Sequence, residues 1–220
     1  MENKLSHYFV KGETLKRIFD TTSTVVGLIN SLLTIKYLSV FQFGLFQLVL
    51  AFISILDGLS IKSVDGPISP EIRHYIIQKE PEKAKRFFWE TVFWKIGLSI
   101  ILGIAVFFSS GLIAKFYDED IGNLVKIVSP LLFFYALQSI SGIFLKSTLS
   151  FFYWIFPAVR EIAKLGFLIG FFFLGNFTIL EVSIAHVVGV GIAAIPLVIA
   201  TIRSHQKNFS SVPIFKNMVT

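Results

Sequence analysis

The chain has 220 residues, of which 54% are hydrophobic and 15% are charged, and its mean hydropathy is +0.74. Soluble domains carry roughly 25% charged residues, so this composition excludes an ordinary soluble domain and indicates a chain solvated largely by lipid. The net charge is +6. No basic stripe carries interleaved aromatic residues on a polar surface, so nucleic acid is not expected as a partner.

The chain contains no cysteine, which excludes a disulfide framework, a thiolate metal site and a cysteine nucleophile. No phosphate-binding glycine loop with lysine, metal-spaced histidine pair or Gly-x-Ser-x-Gly motif occurs either. We therefore expect no enzyme activity, no catalytic residues, no metal and no cofactor.

The first 17 residues, "MENKLSHYFVKGETLKR", are mostly polar. They lack the apolar core and the small-residue cleavage site of a secretory signal. Residues 1–17 are predicted to remain as a cytoplasmic segment ahead of a membrane anchor.

Six apolar segments follow, each close to the ~20 residues that a helix needs to cross a bilayer. In runs of this length only a helix pairs every backbone polar group internally. The predicted fold is therefore an all-α membrane protein with six transmembrane helices. The predicted spans are about 18–38, 41–60, 91–113, 124–145, 155–174 and 180–202.

Lysine and arginine are distributed asymmetrically between the connecting segments. With a cytoplasmic N-terminus, sixteen of the 20 basic residues fall in inside segments and three in outside loops, with Lys95 inside the third span. Such a bias favours cytoplasmic loops. Both termini, the loop 61–90 and the tail 203–220 are therefore predicted to be cytoplasmic, in a multi-pass protein of the plasma membrane.

Local signals refine three connections. "PEKAKRFFWE" places Pro81 at a first helical position with acids in the first turn, which predicts an interfacial helix leading into the third span. Gly175 and Asn176 predict a tight turn with positive φ. Between the first two spans, Gly44 is expected to let the second helix begin tightly.

A polar stripe runs along the first span: Asp20, Thr24, Gly27, Ser31 and Thr34 recur at spacings of 4, 3, 4 and 3, which is one helical face. Two interpretations remain open. The stripe lines a water-filled cavity, or its small and hydroxyl side chains let helices pack closely. Asp20 favours a functional role, although a helix N-terminus also stabilises an acid.

Ionisable residues within spans are costly and are candidates for function. Asp57 lies near the inner end of the second span, and Arg160, Glu161 and Lys164 lie in the first turns of the fifth. Glu161 and Lys164 have a pairing spacing. Lys95, Arg160 and Lys164 are expected either to snorkel to the inner interface or to contact an anionic headgroup.

The stretch "IKYLSVFQFGLFQLVLAFISILDGLSIKSV" resembles the start of the polysaccharide flippases, the O-antigen and teichoic-acid translocases of the MOP exporter superfamily. Their pattern is a basic residue, Tyr-Leu, a small residue, two or three variable residues and then aromatic-Gly-Leu-aromatic, and it is matched from Lys36 to Phe46. Leu56 to Leu59 and "FLKSTLSFFYWIFPAVREIAKLGFLIGFFFLG" are also similar to this family.

The resemblance implies a MOP/MATE-like fold, in which two six-helix lobes enclose a cationic cavity. It also implies flipping of an undecaprenyl- or dolichyl-linked sugar, so the expected partners are a lipid-linked sugar and membrane lipids. The six spans match the N-terminal lobe alone. A second six-helix lobe is therefore expected from a missing C-terminal half, a split partner or a homodimer, with a fragment or pseudo-half favoured over a working homodimer.

The cavity candidates under this interpretation are Asp20, Thr24, Asn30, Ser31, Asp57 and Lys164. Two alternatives remain. A cation-coupled small-molecule exporter of the same superfamily would bind its ion at Asp20 or Asp57. A non-transporting membrane scaffold or assembly subunit would use the stripe for packing alone.

Overall fold

The computed structural model describes residues 2–59, 65–116, 119–148, 150–175 and 177–209. Throughout these ranges the regular elements are helical. The helices are α1 (Glu2–Tyr37), α2 (Val40–Asp57), α3 (Asp65–Ile77), α4 (Pro81–Phe116), α5 (Glu119–Val128), α6 (Leu131–Ser147), a 3-10 helix (Phe151–Ile155), α7 (Phe156–Phe173) and α8 (Ile179–Phe209).

Five segments of the described chain are long and apolar enough to cross a membrane. They are Gly12–Tyr37, Val40–Asp57, Pro81–Phe116, Ile121–Ser147 and Ile179–Gln206. The predicted span 155–174 does form helix α7, but its 18 residues include Arg160, Glu161 and Lys164. Because three charged residues fall within these 18, α7 does not qualify by composition. The helical class is confirmed, whereas the count of six spans is not reached.

Three of the helices are longer than their predicted spans, and α8 continues to Phe209, through the first residues of the predicted tail 203–220. Helix α1 is continuous from Glu2 through the predicted polar segment 1–17, and α4 begins at Pro81 and continues to Phe116. The predicted helix start at Pro81 is thus confirmed, but the expected interfacial helix and the third span are one element. The loop 61–90 also contains α3. Residues 60–64 of this region and 210–220 of the predicted tail lie outside the described residues.

The predicted span 124–145 is divided at Ser129 and Pro130. Proline has no backbone N–H and its ring clashes with the preceding turn, so α5 ends at Val128 and α6 begins at Leu131. The division leaves one apolar segment, Ile121–Ser147, in two helical pieces.

Side-chain capping, rather than glycine, sets the start of α2. The Ser39 hydroxyl accepts from the Gln42 N–H at 3.2 Å, and the Gln42 side-chain oxygen accepts from the Ser39 N–H at 3.2 Å. This reciprocal pair is a capping box. A Cβ added to Gly44 would meet nothing within 4 Å, so close packing does not explain this glycine. At the other predicted turn Gly175 has φ +73, as expected, while Asn176 lies outside the described residues.

Helix α6 forms the centre of the bundle and α1 lies at its periphery. In the apolar 18-residue stretch of Ile121–Ser147, 61% of the residues are buried inside the protein. In the corresponding stretch of Gly12–Tyr37 only 11% are buried. Lys16 in the first half of α1 stacks over Trp154 at 4.6 Å, so this part of α1 lies beside the 3-10 helix that leads into α7. We call this end of the bundle the Lys16 end.

Candidate functional site

Polar side chains from α1 and α7 meet inside the apolar bundle. Asn30 is fully buried, and its Nδ2 donates to the Glu161 backbone carbonyl at 3.0 Å and to Glu161 Oε2 at 2.9 Å. The other carboxylate oxygen, Oε1, accepts from Arg160 Nε at 2.9 Å and lies 2.8 Å from Arg160 Nη2. Lys164 follows one turn later on α7. These four residues form the polar cluster, which joins the peripheral α1 to α7.

A close approach between α7 and α8 fixes the position of the cluster. A Cβ added to Gly189 would lie 3.1 Å from the Lys164 backbone nitrogen and 3.2 Å from the Arg160 carbonyl oxygen. These distances are shorter than ordinary contacts, so glycine lets the backbone of α8 pack directly against the turn that carries the cluster.

Other helices bring further polar groups near the cluster. Arg160 and Lys164 both act electrostatically on His186 of α8, whose ring meets Phe46 edge-on at 6.0 Å. Arg160 and Asp57 both act on the Tyr135 hydroxyl of α6. Asp57 is 1% exposed at the end of α2. Polar groups of α1, α2, α6, α7 and α8 therefore lie in or near the polar cluster.

A second polar contact, the Lys95 bridge, joins α3, α4 and α6. The Lys95 ammonium donates to Asp65 Oδ1 and to Ser139 Oγ at 2.9 Å. The Ser139 hydroxyl in turn donates to Asp65 Oδ2 at 2.6 Å. Lys95 is 3% exposed, so its charge is desolvated, and the carboxylate supplies the compensation that a buried ammonium requires.

A cavity of about 240 Å³ at the Lys16 end lies between these two groups. We call it the polar pocket. Its lining residues come from α3, α6, the 3-10 helix and α7: Asp65, Ser69, Tyr135, Gln138, Ser139, Gly142, Ile143, Lys146, Tyr153, Phe156, Pro157 and Arg160. Asp65 and Ser139 of the Lys95 bridge and Arg160 of the polar cluster face the same space.

The structure brings together some of the predicted cavity residues. Asn30 and Lys164 belong to the polar cluster. Asp57 lies within electrostatic range of Tyr135, on which Arg160 of the cluster also acts. Asp20, Thr24 and Ser31 lie instead on the exposed side of α1.

The hydroxyl groups of the predicted stripe bond within their own helix. Thr24, Ser31 and Thr34 donate to the carbonyls four residues earlier, at 2.9, 2.9 and 2.7 Å. Thr34 is 2% exposed, whereas Thr24 and Ser31 are exposed. The stripe therefore does not form one continuous face toward the cluster.

Two features of the site were missed by sequence reasoning. Glu161 pairs with its neighbour Arg160 and with Asn30 rather than showing a salt bridge to Lys164. The Arg160 side chain is long enough to reach back to its neighbour, which a rule based on helical spacing does not anticipate. Of the two alternatives stated for Lys95, snorkelling to the interface is contradicted, because Lys95 is buried against Asp65.

Chemically, the region around the pocket is rich in hydrogen-bond donors that carry positive charge. Arg160 and Lys146 line the cavity, and Lys95 lies behind Asp65. Such groups hold anions by charge-assisted hydrogen bonds. Within the described residues, no group of three or more His, Cys, Asp or Glu side chains that could hold a metal ion occurs.

Comparison with known proteins identifies the family. The sequence model of the family described as "Polysaccharide biosynthesis protein" matches residues 35–173, which is more than half of the chain. No curated protein and no solved structure matches the chain. The matched region contains the α1–α2 connection, the Lys95 bridge, the polar pocket and Arg160, Glu161 and Lys164. The chain, a helical protein with several candidate membrane spans, therefore belongs to the family of polysaccharide biosynthesis proteins.

Proposed function

We propose that the chain is the N-terminal half of a transporter that moves a lipid-linked oligosaccharide or polysaccharide precursor across the plasma membrane. The observation that carries the proposal is the polar cluster. Glu161 is buried and Arg160 and Lys164 are half-buried, and ionisable groups packed between the helices of a membrane protein are costly and mark substrate or ion pathways. Family membership supports a role in polysaccharide synthesis or transport.

The charges of the cluster suit a lipid carrier that bears phosphate. Arg160 presents a planar set of donors matched to phosphate oxygens, and Lys164 adds a mobile ammonium one turn away. Glu161 keeps Arg160 oriented while the site is empty of substrate. Asn30 of α1 is bonded to the same Glu161 carboxylate. If substrate binding separated Arg160 from Glu161, α1 would therefore shift as well.

The exposed side of α1 supports the proposal of a second lobe. Asp20, Thr24 and Ser31 lie on this side, among exposed apolar residues such as Leu28 and Leu32. We propose that a second helical lobe, supplied by a C-terminal half, a split partner or another copy of the chain, packs opposite α1. With α7 as a sixth crossing both ends of the chain are cytoplasmic, and two such lobes would then be related by an axis along the membrane normal and would alternate access by rocking.

Export in cells that make the Lys164→Gln chain tests this function. We expect surface polysaccharide to fall several-fold and the lipid-linked intermediate to accumulate inside, with the protein level checked by immunoblot. Lys115→Gln is the matched control, because Lys115 is exposed at the far end of α4. Normal export by a chain in which both Asp20 and Lys164 are replaced would contradict the assignment of the site.

The same cells separate the other candidate functions. A cation-coupled exporter would show ion-dependent efflux of small molecules from vesicles, with unchanged surface polysaccharide in the Lys164→Gln strain. A scaffold would leave α1 closed to water, so cysteines placed at positions 24 and 31 would not react with a membrane-impermeant thiol reagent. A transporter half predicts reaction at both positions.

A further inference from the structure

We propose that the polar pocket binds a single phosphate group, presented either by a lipid headgroup or by a small soluble phosphate ester. The pocket shares Arg160 with the polar cluster, so this inference rests in part on the proposed function, whereas phosphate binding is measured separately from translocation. The pocket lies within one helical bundle, between α3, α6 and α7, rather than on the exposed side of α1, where a second lobe is proposed.

The size of the pocket selects the class of ligand. Pockets for drug-sized molecules have volumes of roughly 300–1,000 Å³, and this cavity has about 240 Å³. It is large enough for a phosphate with a small substituent and too small for an oligosaccharide. Its position near Trp154 and Lys16 is the aromatic and basic environment typical of a membrane interface.

The charge balance of the lining favours an anion. Asp65 is the acidic residue among the lining groups, and both of its oxygens already accept hydrogen bonds, from Lys95 and from Ser139. The carboxylate is thereby neutralised at the back of the pocket. Arg160 is in the same way paired with Glu161, so Lys146 sets the sign of the potential in the open part of the cavity, and Arg160 contributes donors.

The donors are also arranged for an acceptor ligand. Arg160 uses Nε and Nη2 on Glu161, and a guanidinium has five N–H groups, so further donors remain for a ligand. Gln138 also lines the cavity, and among the described residues its Nε2 is buried without a hydrogen-bond partner. A buried amide donor left unpaired costs free energy, and a phosphate oxygen would satisfy it.

The third donor, Lys146, is held in position by an aromatic ring. Its ammonium lies 4.3 Å from the centre of the Tyr153 ring, a cation–π distance. Tyr153 in turn packs against Gly142, where an added Cβ would lie 2.6 Å from the ring. Glycine at 142 thus allows the tyrosine to form the wall on which Lys146 rests.

Phosphate binding is measured on the purified full chain in nanodiscs of the phosphate-free lipid digalactosyldiacylglycerol, titrated with inorganic phosphate and followed by the unfolding temperature. Lys146→Gln removes one donor, and we expect an apparent Kd about two- to fivefold weaker, the range for an exposed charge. Arg160→Gln, once shown to fold, is expected to weaken binding by about tenfold or more. Lys126→Gln is the matched control: Lys126 is an exposed lysine that also lies over an aromatic ring, Phe107 at 5.1 Å, but does not line the pocket.

Two further arms distinguish the source of the phosphate. If a lipid headgroup is the ligand, nanodiscs of phosphatidylglycerol stabilise the protein in a Lys146-dependent manner and abolish the effect of added phosphate. If a soluble ester is the ligand, glucose 1-phosphate stabilises the protein equally in both lipids. Either result supports the pocket. The proposal is overturned if neither phosphate, glucose 1-phosphate nor phosphatidylglycerol stabilises the protein, or if Lys146→Gln and Lys126→Gln change the response equally.

Discussion

Replacing Asn30 by alanine tests whether the polar cluster holds α1 in the bundle. The change removes two hydrogen bonds, to the Glu161 carbonyl and to its carboxylate. In soluble proteins a neutral bond contributes about 0.5–1.5 kcal/mol and a bond to a charged group about 1.5–3 kcal/mol. Between membrane helices the measured mean is nearer ~0.6 kcal/mol, with a maximum of about 1.7.

The values measured between membrane helices apply more closely to the bond between Asn30 and the Glu161 carboxylate. Glu161 has a side chain only 12% exposed, which raises the contribution, while Asn30 Oδ1 has no partner among the described residues, so alanine also removes an unsatisfied acceptor. We therefore expect Asn30→Ala to lower the free energy of unfolding by about 1–2 kcal/mol. The neighbouring control Ser31→Ala removes an exposed hydroxyl bonded within α1 and is expected to change it by less than about 0.5 kcal/mol.

Unfolding in mixed micelles of neutral detergent and SDS measures both variants. A double-mutant cycle with Glu161→Ala isolates the bond to the carboxylate, since the backbone carbonyl persists in alanine, and a coupling of about 0.6–1.7 kcal/mol is expected. Equal effects of Asn30→Ala and Ser31→Ala, or additivity in the cycle, would refute the claim that this contact joins α1 to α7.

Three more predictions follow from contacts elsewhere in the bundle. Gly189→Ala forces α8 away from α7 and should lower the free energy of unfolding by about 1–3 kcal/mol. Gly166→Ala is the control, because its Cβ would meet nothing within 4 Å, and equal unfolding curves for the two variants would contradict this. Lys95→Met leaves the Asp65 carboxylate without its cation and should lower the free energy of unfolding by about 2–4 kcal/mol. Adding Asp65→Asn should restore part of this loss. A double variant no more stable than Lys95→Met alone would argue against the bridge. Ser39→Ala removes the cap of α2 and should lower stability by about 1 kcal/mol, measured by the same unfolding assay, and an unchanged midpoint would mean that the cap contributes nothing.

Much of the helical layout could be read from the sequence because a bilayer imposes a simple requirement on the chain. A run of about 20 apolar residues must be helical to satisfy its backbone, and α2, α4 and α8 follow directly. The boundary at Pro81 was also readable, since proline suits a first helical turn. The division at Pro130 was not, because proline within an apolar run either kinks a helix or ends it, and Pro196 lies within the continuous helix α8.

The candidate site was less predictable. Asn30, Asp57 and Lys164 could be selected as polar residues within apolar runs, since their cost in lipid is a local property. Their partners could not be selected in this way. The contact from Asn30 to Glu161 spans 131 residues, and the bond from Ser139 to Asp65 spans 74, so only the packing of α1 on α7 and of α3 on α6 brings these atoms together.

The sequence by itself therefore determined that this is a helical membrane protein, and the stretch that begins at Lys36 indicated the family. Both properties depend on residues that are consecutive in the chain. The tertiary structure decided which polar groups are compensated. Lys95 is buried rather than exposed at the membrane interface because Asp65 of α3 forms a salt bridge with it. Asp20, equally polar, stays on the exposed side of α1. Burial of a charge depends on a partner from another helix, and that partner is fixed only when the helices have packed.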